Sequence, residues 1–192
     1  MGFQNKINFY TAPAVEGDFA NTNPRNNVTS TQSGFISGIN GLIISRFCWL
    51  DPSSLVLLNN YGTGKPLGYL YRNFKGTIDE LLSESTMLIK QGTGVAIFNK
   101  GDFFIINTYK DADIGEKVFA NLTDGSINTG LTGSIIPGFI ETDFSIIVSA
   151  NQNEIAVMTD LNYNETIISS SYRVTDDGDS RVTDDGDYRI TD

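Results

Sequence analysis

The sequence predicts an all-β protein: a compact antiparallel β barrel or sandwich with an extended N-terminal arm and a C-terminal repeat extension. Three observations lead there. The 40% of residues that are hydrophobic are set among 19 glycines and many Asn, Thr and Ser residues, which favour turns and strands over helices. Short apolar runs alternate with turn signals such as Asn40-Gly41 before LIISRFCWL and Asp124-Gly125 between KVFANL and SINTG, the pattern of a sandwich and not of β-α-β units. A length of 192 residues suits one core plus an appendage.

Residues 1–34 are polar, rich in asparagine and punctuated by Pro13, Gly17, Pro24 and Gly34. Their apolar residues are too sparse to fill one face, so they form an extended arm. The β domain follows over residues 35–161. VAIFNKGDFFIIN predicts a hairpin, with Asn99-Lys100-Gly101 as a three-residue loop between Ala96–Phe98 and Phe103–Ile106. One short helix is expected at TIDELLSES, where Thr77 and Glu80 have capping-box spacing before Leu81 and Leu82. From Ser134 to Val157 three more strands are expected, separated at Pro137-Gly138, Asp143 and Asn151–Asn153. Residues 162–192 are a linker and an octad repeat, YRVTDDGD SRVTDDGD YRITD.

The net charge is −10. The stretch from Ser171 onward holds seven Asp against three Arg, so four of those negative charges belong to the tail and six to the rest. No cluster of Lys and Arg exists to displace counterions from phosphates, so nucleic acid is not an expected partner. The start, MGFQNKINFYTAP, lacks the pattern of an export signal, and apolar runs such as Leu42–Ile44 and Leu55–Leu58 are far shorter than the ~20 residues of a membrane helix. A membrane partner is not expected either.

The chain has no histidine, which removes Ser-His-Asp and Cys-His chemistry and ordinary zinc sites. The single cysteine, Cys48, sits in RFCWL as a small buried hydrophobe. NNYGTGKPLG departs from a phosphate loop at Asn59 and Pro66, and a plain turn is the expectation. The carboxylates Asp79, Glu80, Asp102, Glu116, Glu141 and Asp143 lie beside turn residues or at strand edges, where solvated charge is expected. The sequons at Asn27, Asn121 and Asn164 are assigned no role. Phe47, Trp49, Tyr69, Tyr71, Phe98, Phe103, Phe104 and Phe119 lie within apolar strands and are expected mostly in the core, although such rings could form a sugar-binding platform. No cofactor is implied.

Three stretches, TAPAVEGDFANTNPR, STMLIKQGTGVAIFNKGDFFI, and IGEKVFANLTDGSI followed by GFIETDF, resemble in the same order segments of the structural cement proteins that decorate tailed-phage capsids. The likeness covers about residues 1–162, and GDFANTNPR is its most specific part. The resemblance implies a non-enzymatic virion protein on the outer capsid face, assembled in the host cytoplasm, that stabilises contacts between major capsid subunits. A tulip-like β fold is the specific form expected, and a homotrimer at quasi-threefold lattice positions is the expected assembly, with a dimer also permitted. Phe19 would anchor the arm in an apolar capsid pocket, and Arg25, after Asn23 and Pro24, would make a charge-assisted contact to a capsid carboxylate or carbonyl. The alternative is an arm that folds back to cap its own sheet edges. Two other classes compete with the cement reading: a glycan-binding β module of a virion and a carboxylate glycosidase.

The octads lie beyond that resemblance. Asp176-Asp177-Gly178-Asp179 lacks the order of a calcium loop, which leaves a disordered tail or a folded meander. A three-residue Asp-Asp-Gly loop with a glycine bulge pairs Thr175 with Asp179. It then places Tyr172, Val174, Ser180, Val182, Tyr188 and Ile190 on one face, with Arg173, Arg181 and Arg189 on the other. Such a three-stranded meander needs its apolar face covered by the body, a neighbouring subunit or another virion protein.

Overall fold

The structure is a computed structural model and describes residues 15–30, 34–72, 87–160, 181–182 and 188–189. The fold is all-β, and no helix occurs among the described residues; the helix expected at TIDELLSES lies outside them. Nor do the described residues include the start of the arm, residues 1–14.

A seven-stranded sheet has the order β1 (Asn26–Asn27), β9 (Ile97–Lys100), β6 (Gly68–Leu70), β4 (Phe47–Leu50), β5 (Leu57–Asn59), β2 (Phe35–Ser37) and β8 (Gly94–Val95). A five-stranded sheet has the order β10 (Phe103–Ile106), β14 (Ile155–Thr159), β13 (Phe139–Val148), β11 (Lys117–Asn121) and β12 (Ile127–Gly130). A third, small sheet pairs β3 (Leu42–Ile43) with β7 (Leu88–Ile89). Pairing is antiparallel throughout except between β2 and β5, where Ile36 lies beside Leu57 in parallel register.

The seven-stranded sheet is apolar on both faces, which is why its strands read as continuous hydrophobic runs instead of alternating ones. Along β4, Phe47 and Trp49 enter one core and Cys48 the other. Likewise Tyr69 and Phe98 face the first core, while Leu70 and Ile97 face the second. The first core lies between the large sheets, where Phe103, Ile105, Phe144, Ile146 and Met158 meet the aromatic rings. The second holds Phe35, Leu42, Ile44, Leu58 and Ile89. The fully buried among them, such as Leu42, Leu58, Phe103 and Ile105, each stabilise the fold by about 1.5–3 kcal/mol.

Two local expectations are corrected. β9 and β10 do not form a hairpin; they belong to different sheets. In the expected hairpin Phe98 would pair with Asp102 and Phe103 would point to the opposite face. The sandwich buries both rings in one core, with centroids 6.2 Å apart, so the chain turns a corner at Gly101. That corner has φ +132° and its N–H donates to Asp160 Oδ1 at 2.6 Å. The second correction concerns Ser134–Val157, where two strands replace three. β13 runs unbroken through Asp143, whose carboxylate points outward to Lys65 Nζ at 2.6 Å, and residues 134–136 are not a strand. The hairpin at Asp124-Gly125 does form, joining β11 to β12.

The C-terminal unit, residues 163–192, contains β15 (Arg181–Val182) paired antiparallel with β16 (Tyr188–Arg189). Arg181 lies opposite Arg189 and Val182 opposite Tyr188. This is the register that a three-residue Asp-Asp-Gly loop dictates, and not the one a two-residue loop would give. The first copy of the octad, with Tyr172 and Val174, lies outside the described residues, as does Ile190.

Candidate functional site

The segment GDFANTNPR, residues 17–25, is the most specific motif of the chain, and the fold gives it a seat on its own body. Gly17 has φ +86°, and a Cβ there would stand 3.0 Å from Ile44 Cγ2 and 3.2 Å from Arg72 Cβ, so only glycine fits. Its N–H donates to the Phe104 carbonyl at 2.8 Å, and its own carbonyl accepts from Arg72 N at 2.7 Å. Phe104 N returns a bond to the Asp18 carbonyl at 3.0 Å, and Ala20 N donates to the Asp102 carbonyl at 2.9 Å. Residues 17–20 thus cover the free edge of β10. Farther on, β1 pairs with β9, and Val28 N donates to the Ile97 carbonyl at 2.9 Å. One arm therefore closes an edge of each large sheet, which removes two rows of unpaired backbone groups.

Phe19 fills the gap between these two closures. Its ring lies 4.9 Å from Tyr71, 5.1 Å from Phe98 and 5.1 Å from Phe103. Arg25 lays its guanidinium 4.1 Å above the Phe19 ring, a cation–π contact, while Asn23, Pro24 and Arg25 remain exposed. The polar anchor is Asp102, only 3% exposed. Its carboxylate accepts from Asn23 Nδ2 at 2.7 Å, from Asn21 Nδ2, and from the Thr159 hydroxyl.

Residues 15–30 therefore do what the folded-back alternative expects: Phe19 is anchored in an apolar pocket of its own chain, and Asn23, Pro24 and Arg25 form an outward tip. The expectation of solvated carboxylates fails at two positions. Asp102 is buried because the arm folds over it, and Glu116 is buried beside Lys110, whose Nζ lies 2.5 Å from Oε1. Of the aromatics that could have formed a sugar platform, Phe47, Trp49, Tyr69, Phe98, Phe103 and Phe119 are buried. Among the described residues no group of three or more Cys, Asp or Glu side chains is placed to hold a metal ion.

A family model described as XM1 gp53 minor capsid protein matches residues 3–159, a span that includes the arm tip, its seat and every strand of the two-sheet body. The chain belongs to that family. It is therefore a structural component of a bacteriophage virion. A solved chain described as from the capsid of Myoviridae phage XM1 shares the fold, with TM-score 0.50 and 19% identity over 85% of this chain and 100% of that one. No curated protein matches. The minor capsid family match ends at Thr159, the last residue of β14, so the octad extension lies beyond it.

Proposed function

We propose that this minor capsid protein is a non-catalytic decoration, or cement, protein that binds the outer surface of the major capsid protein lattice and stabilises the head. The observation that supports this most directly is the exposed tip Asn23-Pro24-Arg25, held on a seat that the family match spans from end to end. Arg25 has no carboxylate partner among the described residues, so its planar fork of donors is available to a capsid carboxylate or carbonyl. Phe19 is the platform that aims it. Three copies around a quasi-threefold lattice position are the assembly proposed, with a dimer the other closed arrangement. Assembly would take place in the host cytoplasm. In the tail, Tyr172, Val174, Val182, Tyr188 and Ile190 form the proposed docking face for another virion protein, and Val182→Asp should make a docked tail protease-sensitive.

The direct test is sedimentation of the purified protein with shells assembled from the major capsid protein alone. Wild type should bind saturably, and Arg25→Glu should bind at least about tenfold more weakly with an unchanged fold. Equal binding by Arg25→Glu removes the tip from the interface, and failure of the wild type to bind removes the decoration reading. Deleting residues 1–26 is not a clean substitute, because it would also uncover the edges of β9 and β10.

A further inference from the structure

Asn23-Pro24 is the one Asn-Pro pair in the sequence, and the proline changes what the Asn23 side chain can do. At an ordinary asparagine the backbone nitrogen of the next residue attacks the side-chain amide, and the chain stays whole. Pro24 has no backbone N–H, so that route is closed. The remaining intramolecular route runs the other way: Asn23 Nδ2 attacks its own backbone carbonyl carbon, a succinimide closes on Asn23, and the bond to Pro24 breaks. It requires a base that takes a proton from Nδ2 and a backbone held in place.

The fold supplies both. Asn23 Nδ2 lies 2.7 Å from Asp102 Oδ2, inside the reach of about 2.6–3.2 Å that general-base transfer requires. An ionised carboxylate only accepts hydrogen bonds, so the edge of the Asn23 amide that faces it is the NH2 and not the oxygen. Asp102 is 3% exposed, and its other described donors, Asn21 Nδ2 and the Thr159 hydroxyl, are neutral. No cation draws its charge away among the described residues. On the backbone, Asn23 N donates to Asn21 Oδ1 at 2.8 Å, and Arg25 is held over the Phe19 ring, so the Asn23–Pro24 bond lies between two fastened points. Asn21 shares the carboxylate, but Thr22 follows it and keeps the ordinary route open.

We propose that the Asn23–Pro24 peptide bond is a self-cleavage site with Asp102 as its general base. The Nδ2–C bond forms at the Asn23 carbonyl while Asp102 takes the proton from Nδ2. The C–N bond to Pro24 then breaks, its electron pair stays on the Pro24 nitrogen, and the proton passes from Asp102 to that nitrogen. No co-reactant is consumed. The products are a segment that ends in a succinimide at residue 23 and a chain that begins with the free amine of Pro24; water opens the succinimide afterwards. Bonds from Gly17, Asp18 and Ala20 to β10 and its flanks keep the released segment seated, so the fold stays closed while the exposed tip gains a cationic amine beside Arg25. The reaction does not depend on what the tip binds.

The experiment incubates purified full-length protein at neutral pH and follows its intact mass, with the thermal midpoint of each variant alongside. Wild type should split into residues 1–23 and 24–192, and the two masses should at first add up to that of the whole chain. Asp102→Asn should be cut at least about a hundredfold more slowly. Asn23→Gln, which leaves Asp102 in place, should stay whole, and so should wild type unfolded in urea, where Asp102 no longer lies beside Asn23. A folded wild type that stays whole overturns the site. Fragments whose masses exceed the whole chain by one water from the start overturn the cyclisation, since that is hydrolysis. Equal cleavage in urea, or in Asp102→Asn with an unchanged midpoint, overturns the base.

Discussion

Asn23 Nδ2 donates to Asp102 Oδ2 over 2.7 Å, joining positions 79 residues apart. Asp102 has no opposite charge among its described partners, only donors from Asn21, Asn23 and Thr159. Replacing it with alanine frees the two asparagines into water and removes the hydrogen bond that the buried Thr159 hydroxyl gives to a charged carboxylate, a loss of about 1.5–3 kcal/mol. The arm should also open more often. Limited trypsin digestion should cut Asp102→Ala after Arg25 at least about tenfold faster than wild type, while the global unfolding midpoint falls only modestly.

Phe19 and Arg25 should separate stability from recognition. Truncating a fully buried Phe costs about 3–5 kcal/mol, and Phe19 is only half-buried, so Phe19→Ala should cost about 2–3 kcal/mol in urea unfolding. Arg25→Ala loses one exposed cation–π contact, about 0.5–1 kcal/mol. An Arg25→Ala loss as large as that of Phe19→Ala would contradict the packing described here.

Two glycines with the same backbone sign should respond differently to alanine. Gly125 has φ +70°, and a Cβ there would lie 2.3 Å from the Phe47 carbonyl oxygen, so Gly125→Ala must displace β4 and should cost about 3 kcal/mol or more. Gly133 has φ +75° with nothing within 4 Å of the added atom. Its alanine variant meets only the left-handed backbone penalty, about 1–2 kcal/mol. Thermal unfolding of the pair checks the difference.

Acid should weaken the five-stranded sheet through two carboxylates. Burial alone would raise the carboxyl of Asp124, but hydrogen bonds from Ser126 and the Arg46 guanidinium outweigh it and hold the group below its ordinary value. Burial also acts upward on Glu116, where Lys110, the Thr129 hydroxyl and the Asp113 N–H win. Both groups bind protons more readily in the unfolded chain. Their stabilisation is therefore full above the ordinary carboxylate range and is lost as pH falls through the depressed folded values. The urea midpoint should fall between about pH 5 and pH 3, and Asp124→Asn with Glu116→Gln should flatten that slope.

Cys48 should be silent to thiol reagents in the native state. It is fully buried, burial pushes its thiol far up, and Asn60 Nδ2 lies 3.4 Å from the sulfur. Labelling should follow global unfolding, and rapid labelling without denaturant would contradict a closed second core.

The class of fold was legible because turn chemistry is local. Asp124-Gly125 marks a hairpin wherever it stands between two strand-like runs, and the Asp-Asp-Gly loop carries the register of Val182 and Tyr188 within eight residues. Sheet membership was not legible. Asn99-Lys100-Gly101 has the composition of a hairpin loop, yet β9 and β10 separate because Phe98 and Phe103 gain more from one shared core than from pairing their strands. The seat of Phe19 was hidden for the same reason, since Asp102 looks like a turn carboxylate until residues 21–23 close over it. One signal was available: Gly-Asp-Phe occurs twice, at 17–19 and 101–103, and Phe19 bridges Phe103 in antiparallel fashion.

Because the arm closes two sheet edges that are made much later than the arm itself, the order of synthesis runs against the order of completion. At about 5–20 residues per second, Asp102 leaves the peptidyl-transferase centre roughly 4–16 s after Asn23. Until then residues 17–28 have no seat, and β14, which flanks β10 on its other side, is later still. The earlier-made segment thus docks only after the later one, and a polypeptide stopped short of β10 would hold an unseated arm and open strand edges, both invitations to intermolecular pairing. Placing the latch ahead of the edges it closes leaves the growing chain without that closed surface until the later strands have been made.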